Sequence, residues 1–115
     1  WIVRGASDMT RIDVLRGGIT GCMKMAAVAE AAGIKCEMHM AGFANLQILG
    51  ATSEDVCTYY ERGLLAPGVD YDTPQPYLNE ICDPMDSQGN VTIPTEPGMG
   101  YNINWDYIEA NRIDV

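Results

Sequence analysis

Basic residues are scarce in this chain, and histidine and phenylalanine are nearly absent. Seven Lys and Arg stand against sixteen Asp and Glu, with one His and one Phe in 115 residues. The formal net charge of −9 repels nucleic acid and an anionic membrane surface, and no cluster of Lys or Arg offers a phosphate-binding face. No apolar run approaches the roughly 18 residues of a membrane span. The chain shows no basic-then-apolar leader and no initiator Met, and it opens abruptly in Trp1-Ile2-Val3, as a processed or truncated product would. Cys22, Cys36, Cys57 and Cys82 form no close C-x-x-C pair, and a single His makes a zinc site improbable. Reduced thiols in a cytoplasmic protein are expected, and nothing in the spacing supports a disulfide.

What remains is an ordinary globular composition, 47% hydrophobic, at a length that fits one domain or a piece of one. That length is small for a complete α/β enzyme. Alternation predicts a first strand ending near Asp13 or Val14, with Met9, Arg11 and Asp13 on one side and Asp8, Thr10 and Ile12 on the other. Gly17-Gly18 follows as a tight turn, without the pattern of a nucleotide loop. Thr20 then reads as the N-cap of a helix over Gly21 to Ala32, stopped by Gly33 as its C′ residue. Ile34 to Met40 reads as a second strand, with Cys36, Met38 and Met40 on one side and Lys35, Glu37 and His39 on the other. Met23, Met25, Met38 and Met40 read as core packing.

Beyond Gly42 a short helix is expected over Ala44 to Leu49, a polar turn over Ala51 to Asp55, and a third strand over Val56 to Tyr60. The order strand, helix, strand, helix, strand predicts α/β architecture with a parallel sheet and right-handed crossovers. After Glu61 the character changes. Pro67, Pro74, Pro76 and Pro84 interrupt Leu64 to Pro84, and only a short strand over Val91 to Pro94 and a helix over Trp105 to Ala110, capped by Asn104, are expected. The expected division is residues 1–63 and 64–115. Asp83 and Asp86 do not match a calcium loop and read as a solvated loop.

Several landmarks fall in one order. Arg11-Ile12-Asp13-Val14 precedes Gly17-Gly18-Ile19-Thr20-Gly21, then come Glu30-Ala31-Ala32-Gly33, Glu37-Met38-His39, Ala44-Asn45-Leu46 and Tyr59-Tyr60-Glu61. Val91-Thr92-Ile93-Pro94 and Pro97-Gly98-Met99-Gly100 close the series. In this order and spacing the chain resembles the enolase superfamily, in its mandelate racemase/muconate lactonizing group. The resemblance covers nearly all of it. It implies the C-terminal part of a (β/α)8 TIM-type barrel with parallel strands, in residues 1–63, and a C-terminal segment, residues 64–115, that would return to a capping domain.

The resemblance also implies chemistry. Family members remove a proton α to a carboxylate, with a divalent ion, usually Mg²⁺, stabilising the enediolate. The metal ligands, and a Lys base, are expected upstream of Trp1, so no metal or cofactor ligand is assigned in this chain. His39, near the C-terminal end of a strand, is the expected catalytic residue, since imidazole can accept and return a proton near neutrality. Asp13 is its expected partner, fixing the tautomer. Counting back from Gly17 by the family pattern puts Ile12 at that position, whereas a one-residue loop deletion puts Asp13 there and keeps the Arg-x-Asp-Val match; Asp8 is the other acid at hand. Glu61, ending the third strand, is expected to hydrogen-bond the substrate carboxylate, against the plainer reading of an exposed acid beside Arg62.

The implied activity is dehydration of a sugar acid, with racemisation or epimerisation of a hydroxy acid as the rival. The chain alone is expected to lack turnover, and to form homo-oligomers or associate with a missing N-terminal portion, because a few parallel strands cannot close a barrel and leave edges exposed. A different class of function is a non-catalytic fragment or stand-alone acidic binding module.

Overall fold

The computed structural model describes residues 1–39, 44–62 and 73–113. It divides into two compact units, Trp1–Gly63 and Leu64–Val115.

The first unit is built on a βαβ crossover. Strand β1 (Met9–Ile12) and strand β2 (Lys35–Met38) pair in parallel, in the register Met9↔Lys35 through Ile12↔Met38. Helix α1 (Val14–Ala31) connects them. Alternation sets the burial: Cys36 and Met38 are buried, Lys35 is exposed, and Ile12 is buried beside the exposed Arg11. Ile12, Met38, Cys22, Ala26, Ala29, Ile48, Val56 and Cys57 belong to one apolar cluster between sheet and helices. Removing a Met side chain such as that of Met38 from water contributes about 1.5–3 kcal/mol.

Helix α1 departs from expectation at its start. Its N-cap is Asp13, in extended conformation, and Thr20 lies inside the helix. Two Asp13 acceptors explain the early start: the side chain takes the Leu15 N–H, and the carbonyl takes the Arg16 and Gly17 N–H groups. The helix then breaks at Gly18 (φ 64, ψ 170), a conformation that belongs to glycine. The Gly pair therefore separates a first short helical segment, capped by Asp13, from the longer one after Gly18, and it stands as the expected break ahead of that longer segment. At the other end Gly33 (φ 68) is the C′ residue, with Gly33 N–H to Glu30 C=O and Ile34 N–H to Ala29 C=O completing a Schellman cap.

Helix α2 (Asn45–Gly50) follows β2, and Ala44 before it is left-handed (φ 74), a costly state for a residue with a Cβ. The third strand expected over Val56 to Tyr60 is not continuous. Val56 and Cys57 turn back on the Ser53 carbonyl, and the segment meets β2 at two points, Cys36 N–H to Val56 C=O and the parallel bridge Met38↔Tyr60. Of the methionines expected in the core, Met38 is buried and Met23 packs against the cluster, whereas Met25 is 41% exposed. Met40 and Gly42 lie outside the described residues.

Among its described residues, 73–113, the second unit has little regular structure. Residues 77–79 and 102–104 meet at the antiparallel bridge Leu78↔Ile103, and Met85↔Val91 is a second such bridge. That bridge is all that forms where a strand over Val91 to Pro94 was expected. Helix α3 (Trp105–Ala110) is capped by Asn104, whose side chain accepts the Tyr107 N–H. Asp86 folds the turn before Val91 by accepting N–H groups of Gln88 and Asn90. Asp83, expected in a solvated loop, is instead buried. The proline-interrupted stretch 64–84, where no long element was expected, lies partly outside the described residues.

Candidate active site

The parallel register determines which residues can meet. Ile12 pairs with Met38, and Met38 with Tyr60, so the next residues in each segment, Asp13, His39 and Glu61, stand in one row past the strand ends. The bond from His39 N–H to Ile12 C=O (2.8 Å) carries the pairing up to that row. Alternation then directs these side chains to the face of the sheet opposite Ile12 and Met38.

His39 Nδ1 lies 3.2 Å from Asp13 Oδ2, with the His39 side chain 32% and the Asp13 side chain 9% exposed. Asp13 is held from several directions. Its Oδ1 accepts the Leu15 N–H at 2.9 Å, and Arg16 Nε lies 3.9 Å from Oδ2. Burial pushes the Asp13 carboxyl up, but the hydrogen bonds from Leu15, His39 and Asn45 outweigh burial and hold it below its ordinary value. An ionised carboxylate only accepts, so Nδ1 of His39 is the donor, and Nε2 is left with the lone pair in the neutral ring.

Glu61 reaches Arg11, whose Nη2 lies 2.6 Å from both carboxylate oxygens and 3.4 Å from Glu37. The hydrogen bond that Arg11 donates to Glu61, followed by the charges of Glu37 and Glu61, raises the pKa of the Arg11 guanidinium against the opposing effect of burial. Glu61 is thus a partly buried, ion-paired acid. The reading of an exposed acid beside Arg62 does not describe it.

A cavity of about 440 Å³ opens beside the pair, lined by Arg11, Asp13, Arg16, Gly17, Cys22, Met25 and His39 among others. Cys22 is buried in its wall. Burial pushes its thiol up, the Asp13 backbone N–H opposes this, and the Asp13 charge adds to it, so Cys22 stays a neutral thiol. Burial likewise pushes the Cys36 thiol up to about 11. All four cysteines are free.

Two residues of the site had no strong sequence signal. Arg11 was a landmark on the Asp13 side of its strand, with no partner to be read from sequence 50 residues away from Glu61. Asn45 was a landmark before a short helix. In the structure it is 1% exposed, accepts the N–H of Val14, the residue after Asp13, and donates to the His39 carbonyl. Among the described residues no group of three or more His, Cys, Asp and Glu is arranged to hold a metal ion, and no helix is long and apolar enough to cross a membrane.

This arrangement, a parallel βαβ unit with an imidazole–carboxylate pair past its strand ends, coincides with a family match. The family described as "Enolase C-terminal domain-like" matches residues 1–107, and the chain belongs to it, in the mandelate racemase/muconate lactonizing group of the enolase superfamily. Among curated proteins it is similar to a D-gluconate dehydratase of Thermoproteus tenax, at 33% identity over 117 aligned positions. The alignment takes in 99% of this chain and 23% of that protein, so the chain spans about a quarter of its relative's length. No solved structure matches the chain.

Proposed function

We propose that the chain is the C-terminal portion of a (β/α)8 barrel in an acid-sugar dehydratase, with His39 as the proton-transfer residue and Asp13 as its partner. The observation that carries this reading is the 3.2 Å contact between His39 Nδ1 and Asp13 Oδ2 at the C-terminal ends of adjacent parallel strands, where barrel enzymes build their sites. The D-gluconate dehydratase relative favours dehydration over racemisation. The residues after Gly63 are read as the segment returning to a capping region.

Dehydration of an aldonate or aldarate removes the proton α to the carboxylate and expels the β-hydroxyl as water. Asp13 keeps the His39 ring in the Nδ1–H form, so Nε2 can take a proton; once protonated there, the ring can give one to the departing hydroxyl. The Asp13 charge stabilises the imidazolium between these events. Glu61 accepts hydrogen bonds from Arg11, and an acceptor carboxylate is better suited to hydrogen-bond substrate hydroxyls than to approach a carboxylate directly. The Mg²⁺ typical of the family does not fit the described residues: Asp13 is engaged by Leu15 and His39, and Glu37 and Glu61 by Arg11.

The test is turnover of a panel of sugar acids, gluconate included, by the full-length protein and its His39→Asn variant. Loss of a general acid or base should lower kcat/KM by about 10²–10⁴-fold. Unchanged turnover would remove His39 from the mechanism.

A further inference from the structure

We propose that Asn45 is a positioning residue for the His39–Asp13 pair, its buried carboxamide tying together the backbone at the two strand ends that carry them. This rests on the reading of that pair as the proton-transfer centre. Asn45 Oδ1 accepts the Val14 N–H at 2.9 Å, and Asn45 Nδ2 donates to the His39 carbonyl at 3.1 Å. Val14 is the residue after Asp13, so one planar group spans from the Asp13 side of the site to His39 itself. Its two ends are a fixed distance apart, and it therefore sets the spacing of the two backbones past the last ladder bond.

Two independent features support more than a packing role. The Val14 N–H is one of the orphan donors at the start of α1, and capping residues normally satisfy such groups from within the same turn. Here the partner comes from a different helix, 31 positions along the chain. The residue that delivers Asn45, Ala44, is held in the left-handed region at φ 74 and ψ −11, although it is not glycine. Backbone strain of this kind persists only where the surroundings impose it, and it concentrates at functional sites. The Asn45 side chain also contributes to holding the Asp13 carboxyl in its ionised form.

The consequence can be read without turnover. With Asp13 ionised and 3.2 Å away, His39 should occupy the Nδ1–H tautomer, whereas an untethered imidazole prefers the Nε2–H form. Ring nitrogen shifts of protein labelled with 15N-histidine report the tautomer, and the spectrum of the His39→Asn variant assigns the signal. Asn45→Ala should move His39 toward the untethered mixture, as Asp13→Asn should, with the backbone amide spectrum otherwise retained. In the full-length protein it should lower kcat by about 10- to 100-fold while KM changes little, the cost of a small misplacement of a reacting group.

Asn45→Asp keeps the volume and the acceptor for Val14 but cannot donate to the His39 carbonyl, so it tests the same point if the alanine variant does not fold. It too should disturb the tautomer. A wild-type tautomer in either folded variant would overturn the proposal and leave Asn45 a buried packing group. Should His39→Asn retain full turnover, the functional reading falls, while the tautomer measurement still decides what Asn45 does for the pair.

Discussion

The two units are held together by different means. In residues 1–63 an apolar cluster containing Ile12, Ala29, Met38 and Ile48 fixes a parallel register, and the chemistry-bearing side chains stand past the strand ends. In residues 64–115 the buried hydrophobic residue among those described is Leu78, and the backbone is organised by side chains of Asn and Asp: Asn79 onto Asn102 and Ile103, Asp86 onto Gln88 and Asn90, and Asn104 onto Tyr107. Burial specifies position over long sequence distances, because a register slip by one residue reverses every side chain. The bonds of Asp86 and Asn104 to N–H groups within four residues specify only the turn in which they occur, and those of Asn79 join two segments 23 and 24 positions apart at a single bridge. A site that needs residues 13 and 39 within 3.2 Å therefore belongs in the first unit.

The sharpest way to break this contrast is to cut into the cluster. Met38 is fully buried and pairs with both β1 and Tyr60. Met38→Ala should destabilise the first unit by about 2–5 kcal/mol, the usual cost of a buried large-to-small change that leaves a cavity. Urea unfolding followed at an amide in β2 would measure it. A loss below about 1 kcal/mol would mean that the sheet is held by something other than this cluster.

How far the sequence reveals the structure follows the same division. Period-two alternation in Lys35 to Met38 and the glycine stop at Gly33 are signals of short range, and both elements formed as expected. Asn104 was legible for the same reason, since a cap acts within three residues. The sequence does not show the short helical segment ahead of Gly18, because Thr20 and Asp13 are both good caps. The choice fell to Asp13, which sits at the strand end and gains two hydrogen bonds there. The third strand was overestimated because β-branched and aromatic residues at Val56 to Tyr60 suit a strand, while the Ser53 turn claims the first two of them. Family resemblance put His39 and Asp13 forward as a pair. The Arg11–Glu61 ion pair and the Asn45 bridge lie beyond any local pattern, because each joins residues whose proximity only the folded register creates.

Asp13 joins the two modes of stabilisation in one residue, as a local cap and as a long-range partner of His39. Asp13→Ala should cost about 1–2 kcal/mol at neutral pH, from the lost cap alone. The pH dependence has a definite sign. The folded-state pKa is lowered from 3.8, so the Asp13 contribution is complete above that value and is lost as pH falls through the folded value. Denaturant midpoints of wild type and Asp13→Ala should therefore differ at pH 7 and converge on acidification below about pH 3.8. A gap that persists at pH 2 would assign the effect to packing.

The smallest effect is expected in the second unit, where the Asn104 side chain caps α3 and donates one long bond, 3.3 Å, to the Pro76 carbonyl. Asn104 accepts the Tyr107 N–H at 3.0 Å, and its own N–H bonds the Tyr77 carbonyl at 2.9 Å. Replacing its side chain leaves the backbone bond in place, so Asn104→Ala should cost about 0.5–1 kcal/mol, at the low end for an N-cap in an exposed helix of this kind. The six-residue helix α3 is too short to persist by propensity alone, so the loss should appear as faster amide exchange across Tyr107 and Ile108. The β1 and β2 amides should keep their protection, since this cap has no role in fixing their register. If they lose it together with α3, the second unit contributes to the register of the first, and the contrast between a unit positioned by burial and one held by Asn and Asp side chains fails.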